Sequence, residues 1–215
     1  MKQKSILFDL DGTLTDSSEG IMNCAKLVFN HFNLRIPSNK ELRVIIGPPL
    51  RLSFLRFGVK EKDLDEAITV YRGRYVKEGK FENYPYEGIE ELLKNLKNAG
   101  HRLFVATSKP EPVSKEILEH FGLAKYFELI CGAANDNKRE TKAKVIKYLL
   151  DQKQDLENII MIGDTAFDVI GAKENNIPTI GVAWGFGDLE EMKKEGAIYI
   201  ASTPLDLQNY LLKDD

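Results

Sequence analysis

Six short β-rich runs alternate with helical patterns along this chain, and that alternation restricts its fold more than any other feature. The runs are SILFDL (5–10), HRLFVATS (101–108), FELICG (127–132), NIIMIGD (158–164), PTIGVAW (178–184) and AIYIAS (197–202). Strands spaced by helices are joined through right-handed crossovers, so the sheet is expected to be mostly parallel. The near-continuous apolar character of IIMI and LFVA fits strands covered by helices on both faces.

The intervening segments follow the same plan. In EGIEELLKNLKNAG, Ile89, Leu92, Leu93 and Leu96 fall at helical spacing and Gly100 supplies a stop. EPVSKEILEHFG repeats it, with Pro112 in a first turn and Gly122 at the end. The expected core is an α/β, Rossmann-like layered fold. One stretch breaks the alternation. Between residues 17 and 83 there are helical patterns (SSEGIMNCAKLVFNHF, SNKELRVII, EKDLDEAITVYRGRYVKEG) and no convincing strand. A helical block of roughly 65 residues is too long for a loop and reads as an inserted α-helical domain. The division expected is therefore 1–16 with 84–215 as the core, and 17–83 as the insertion.

Composition narrows the partners. A chain of 215 residues with 43% hydrophobic and 29% charged residues has material for a sizeable core. The net charge of -3 removes the broad basic surface of a nucleic-acid binder but leaves room for a small anionic substrate. The N-terminus reaches Asp9 too early for a signal peptide's apolar core, and no run has membrane-spanning length, so a cytoplasmic protein without a membrane partner is expected. Cys24 and Cys131 stand alone, and His31, His101 and His120 form no metal-binding pair, so all five read as structural or surface positions.

The polar clusters lie just past the C-terminal ends of expected strands, where ligands bind in open α/β sheets. Asp9 and Asp11 follow the first strand, Thr107 and Ser108 end the second, Lys142 opens the helix after the third, and Gly163, Asp164 and Asp168 follow the fourth. Each has an ordinary explanation alone: a D-x-D-G turn, a helix cap, a solvated lysine, a Gly-Asp turn with an N-cap. Four such accidents at four strand ends are improbable. Asp9, Asp11, Asp164 and Asp168 would crowd negative charge into one crevice, a costly arrangement unless a cation joins them. Oxygen donors without Cys or His favour a hard ion such as Mg²⁺.

DLDGTLTDS, ATSK, Lys142 within RETKAKVIKY, and GDTAFD together resemble the four motifs of the haloacid dehalogenase-like hydrolase superfamily. The helical insertion resembles that family's small α-helical cap. IGPPL and GVAWGFGD are similar to its phosphoglycolate phosphatase-like branch. The resemblance implies Asp9 as nucleophile, forming an aspartyl-phosphate, and Asp11 as general acid and base. It implies Mg²⁺ held by the Asp9 carboxylate, the Asp11 backbone carbonyl and Asp164, with Asp168 behind them, holding a water on the metal or Lys142. Thr107, the Ser108 backbone N–H and Lys142 would meet the transferring phosphoryl oxygens, and Gly12 would let the chain bend around them. Asp11 argues against the dehalogenase branch, whose members generally lack this D-x-D arrangement.

A core that grips only phosphate and Mg²⁺ leaves selection of the substrate to the cap. Gly47, with Pro48 and Pro49, breaks the helical pattern in IIGPPLRLSF and marks the segment expected to reach the substrate. Arg43 and Arg51 flank it and suit a carboxylate or second phosphate. The crossings near Thr15 and Tyr84 are the expected hinges. YRGRYVKEGK reads as a solvated helix face. Trp184 is not needed for phosphoryl chemistry, and Asp188 is expected to begin the following helix. The reading is a Mg²⁺-dependent phosphatase of a small phosphorylated metabolite, of the phosphoglycolate or nucleoside monophosphate class. A sugar phosphomutase on the same core and a silent phosphate-binding module are the alternatives.

Overall fold

The structure is a computed structural model describing residues 2–134 and 139–213. The chain divides into two compact units, Met1–Thr15 with Pro85–Asp215, and Asp16–Tyr84. In chain order it runs β1 (Ser5–Phe8), β2 (Thr15–Asp16), α1 (Ser18–His31), α2 (Asn39–Leu42), α3 (Leu50–Arg56) and α4 (Leu64–Tyr75). Next come β3 (Tyr84–Pro85), α5 (Ile89–Asn98), β4 (Arg102–Pro110), α6 (Glu111–His120), β5 (Leu129–Ala133) and α7 (Lys142–Gln152). The chain continues through β6 (Ile159–Gly163), α8 (Ala166–Lys173), β7 (Thr179–Val182), α9 (Leu189–Glu195), β8 (Tyr199–Ala201) and α10 (Pro204–Leu211).

The first unit is an α/β, Rossmann-like fold. Its sheet has the order β5-β4-β1-β6-β7-β8, and every neighbouring pair is parallel. β1 lies inside the sheet, in register with β4 through Ser5 opposite Arg102 and with β6 through Ser5 opposite Ile159. Its residues alternate between two buried layers, as the two-residue period of a strand requires. Ile6 and Phe8 pack with Leu92, Leu93 and Leu96 of α5 and Ile117 and Leu118 of α6. Leu7 packs on the other face with Phe104, Met161 and Val145, Ile146 and Leu149 of α7. With both faces sealed, β1 ends in one direction only, and Asp9 emerges where the apolar run stops.

Two details bear on the site. β4 runs beyond Ser108 to Pro110, with its register against β5 shifting between Ala106 and Pro110. After Phe8 the chain leaves the sheet and turns: the Gly12 N–H donates to the Thr15 carbonyl at 2.8 Å, and Asp11 forms only an isolated bridge with Thr15.

The second unit is helical. α1 buries Ile21, Met22, Cys24, Ala25, Val28 and Phe29. Phe29 meets Phe54 edge-on at 6.2 Å, and Phe54 meets Tyr71 at 5.9 Å, so α1, α3 and α4 share an aromatic centre. Arg74 joins Glu82 through two hydrogen bonds of 2.7 and 2.8 Å. Ser38 and Glu41 form a capping box at the start of α2. Gly47 has φ +101° and is exposed, and α3 begins after Pro49, so the helical pattern breaks there.

Candidate active site

Four strand ends of the first unit deliver the site. Carboxylate oxygens of Asp9, Asp164 and Asp168 lie within 4.8 Å of one another, all three residues buried. Lys142 is the first residue of α7 and enters this cluster from the side. Its Nζ stands 2.6 Å from Asp9 Oδ1 and 2.8 Å from Asp168 Oδ1, and donates to the Ala106 carbonyl at 3.0 Å. The close approach of α8 to the start of α7 depends on Gly171, where a Cβ would sit 2.7 Å from the Lys142 Cβ.

One lysine does not neutralise three carboxylates, and the groups respond accordingly. Burial pushes the Asp9 carboxyl up to about 6, Lys142 opposing the rise and Asp168 adding to it. Burial likewise raises Asp164 well above the usual carboxylate range, reinforced by Asp168 and Asp9. Burial alone would pull Lys142 down, but Asp168 and Asp9 outweigh it and hold the ammonium well above its ordinary value. A buried cluster with a surplus of negative charge and an all-oxygen donor set fits a hard divalent cation.

Asp168 is committed elsewhere. While Oδ1 meets Lys142, Oδ2 accepts from the Thr165 N–H at 3.0 Å and the Thr165 hydroxyl at 2.9 Å, closing the capping box of α8. Asp164 is held by backbone. Its Oδ2 accepts from the Phe186 N–H at 2.8 Å. Gly12, at φ +80°, passes so close that a Cβ there would lie 2.1 Å from the same oxygen. Trp184, beside that loop, donates its indole N–H to the Thr13 carbonyl at 3.0 Å and meets Tyr86 edge-on at 6.5 Å. Asp188 caps α9, accepting from the Glu190 and Glu191 N–H groups.

Thr107 is buried, its hydroxyl oxygen accepts from the Lys109 N–H at 3.2 Å, and it works slightly against the rise of the Asp9 carboxyl. Ser108 is exposed. The Asp11 side chain does not join the carboxylate cluster. It pairs with Lys109, whose Nζ donates to Oδ2 at 2.6 Å and to Oδ1 at 2.9 Å. The expected crowding of four carboxylates is thus three plus one, because β1 ends at Phe8 and the two-residue alternation does not extend to Asp11. Gly47, Arg43 and Arg51 belong to the second unit. Arg43 is exposed, and Arg51 is engaged by Asp65 of α4.

Two contributors escape sequence reasoning. Lys109 sits in ATSK two residues beyond Thr107, and strand alternation alone places both on the same side. Phe186 supplies only a backbone amide, for which the flanking Gly185 and Gly187 are the sole sequence signal.

Comparison with known proteins gives a consistent result. Residues 6–182 match the haloacid dehalogenase-like hydrolase family. The tyrosine-protein kinase PtkA of Mycobacterium tuberculosis is 40% identical over 88% of this chain, which spans 65% of that relative's length. A 5'-nucleotidase of Pseudomonas aeruginosa is 40% identical over 90% of this chain and 88% of its own. Among solved structures, that of a predicted phosphatase from Clostridium acetobutylicum superposes with a TM-score of 0.91 at 45% identity, covering 99% of both chains. With the match running from β1 to the end of β7, the chain belongs to the haloacid dehalogenase-like hydrolase family.

Proposed function

We propose that the protein is a Mg²⁺-dependent phosphatase acting on a small phosphomonoester, of the phosphoglycolate or nucleoside monophosphate class, through an aspartyl-phosphate on Asp9. The observation that carries this reading is the setting of Asp9: an ammonium 2.6 Å away, the Thr107 hydroxyl beside it and Asp164 in the same cluster. Asp9, Asp164 and the Asp11 carbonyl would hold Mg²⁺, which when bound supplies the positive charge that balances the cluster and draws the phosphoryl group toward Asp9.

The remaining chemistry belongs to the chain. An Asp9 oxygen attacks phosphorus, and the bond to the leaving oxygen breaks with its electron pair. Asp11 gives that oxygen a proton. Asp11 then takes a proton from water as the water attacks phosphorus, and the bond to Asp9 breaks, returning its pair to the carboxylate and releasing inorganic phosphate. Thr107, the Ser108 N–H and Lys142 stabilise the equatorial oxygens, and Gly12 keeps the backbone close to them. Lys142 also orients Asp9 and would share its charge with the phosphoryl group as that group arrives. Asp168 holds Lys142 from behind. Selection of the substrate's remainder is assigned to the helical unit, with Gly47, Arg43 and Arg51 as candidates. No helix among the described residues is long and apolar enough to cross a membrane.

The test is phosphate release from a panel of phosphorylated metabolites, with Mg²⁺ and with a chelator. Wild-type protein should release phosphate only with Mg²⁺. Asp9→Asn keeps the size and loses the nucleophile, so near-wild-type turnover by that variant would exclude the scheme. The kinase name of the mycobacterial relative supports one second reading, transfer to an acceptor hydroxyl instead of water. Labelled phosphate appearing on an acceptor rather than free in solution would favour it.

A further inference from the structure

The site contains a second buried lysine, which the proposed chemistry leaves without a task. Lys109 has a side chain only 6% exposed, and it grips both oxygens of Asp11, itself 20% exposed. Its backbone is engaged as well: the Lys109 N–H donates to the Thr107 hydroxyl oxygen at 3.2 Å. That bond occupies an acceptor position of the hydroxyl and leaves its proton for an arriving phosphoryl oxygen. Strand alternation at the end of β4 brings both contacts from one residue, because Thr107 and Lys109 are buried while Ser108 is exposed.

Asp11 needs such a hold. It lies beyond the end of β1, bridged to the main chain only at Thr15, and outside the three-carboxylate cluster. Proton transfer requires its carboxyl within hydrogen-bond reach of the leaving oxygen and of the attacking water, and a freely rotating side chain meets that condition only part of the time. Two donors from one ammonium fix both the rotamer and the plane of the carboxylate.

We propose that Lys109 is a positioning residue that locks the Asp11 carboxylate in its proton-transfer orientation while its backbone N–H occupies an acceptor position of the Thr107 hydroxyl and leaves that hydroxyl's proton for the phosphoryl group. Lys109 thus ties the acid-base side of the site to the phosphoryl-binding side. This rests on the proton-transfer role of Asp11 given above.

Leaving-group dependence separates this role from a general structural one. The leaving oxygen of 4-nitrophenyl phosphate departs without a proton, whereas that of an alkyl phosphate needs one. For Lys109→Met, the ratio of kcat/KM for the alkyl phosphate turned over fastest in the metabolite panel to that for 4-nitrophenyl phosphate should fall about tenfold or more. Lys109→Arg, which keeps two donors on one cation, should restore most of it. Placed on an Asp11→Asn background, Lys109→Met should cost less than about threefold further, since its effect passes through Asp11. Circular dichroism establishes that each variant is folded, and Lys109→Gln replaces Lys109→Met if the latter is not. Equal losses on both substrates, or a further tenfold loss on the Asp11→Asn background, would overturn the inference. If Asp11→Asn itself leaves the ratio at its wild-type value, the proton-transfer reading fails; if Asp11→Asn lowers it and Lys109→Met does not, only the role of Lys109 fails.

Discussion

Lys142 Nζ stands 2.6 Å from Asp9 Oδ1, with both side chains almost fully buried. The pair therefore sets the position of the proposed nucleophile and the stability of the cluster together. Removing one partner of a buried, hydrogen-bonded charge pair costs about 3–5 kcal/mol, because the remaining charge is stranded. Part of that cost is relieved here by protonation, since burial already raises the Asp9 and Asp164 carboxyls. Lys142→Met is expected to melt at lower temperature than wild type and to lose at least about tenfold in kcat from missing transition-state charge. Thermal unfolding and steady-state kinetics check the two effects separately. An unchanged kcat would remove Lys142 from the chemistry.

Gly12 gives a sharper structural prediction. At φ +80° any other residue pays about 1–2 kcal/mol for the left-handed backbone, and an added Cβ would also run into Asp164 Oδ2 at 2.1 Å and the Phe186 ring at 2.8 Å. Asp164 is 1% exposed and tied to the Phe186 amide, so it has nowhere to retreat. Gly12→Ala should lose at least about 2 kcal/mol by urea denaturation. A loss under half that would mean that the turn relaxes without disturbing Asp164.

The contrast between what sequence reading reached and missed follows from the range of each signal. Apolar runs mark β1, β4, β6 and β7 because burial on both faces is written into consecutive residues, and Lys142 is legible because a helix must begin after β5. Partnerships are not local. Whether Asp11 turns to Asp164 or to Lys109 depends on β1 ending at Phe8 and on a register shift in β4, and neither feature has a composition of its own. Arg51 looks free in the sequence, yet Asp65 takes it, a meeting decided by how α3 lies on α4. The Phe186 amide carries no side-chain signature at all.

Asp164 also supplies a test of the proposed metal that needs no turnover. The Phe186 N–H holds its Oδ2, and Trp184, the chain's only tryptophan, sits two residues earlier with its indole bonded to Thr13. Mg²⁺ at a hundred times its dissociation constant should stabilise the wild type by about 2.7 kcal/mol. It should also shift Trp184 emission along the same binding curve. Asp164→Asn should show neither response. Equal stabilisation of that variant would place the ion elsewhere.

His101 sets a pH response separate from the site. It is 3% exposed, and its Nδ1 accepts the Lys4 N–H at 3.1 Å, which favours the neutral ring. Burial lowers its pKa below 6.5, with the charge of Lys4 adding to the effect. The sign follows by linkage: as pH falls through 6.5 the unfolded chain takes up this proton before the folded one, so unfolding is favoured progressively until the folded ring also titrates. The contribution is complete above 6.5 and lost below it. His101→Asn keeps an acceptor for Lys4 and cannot titrate. Between pH 7.5 and 5.5, urea denaturation should show a larger loss of stability for wild type than for His101→Asn. Equal losses would mean that the ring titrates alike in both states and that its burial carries no cost of charging.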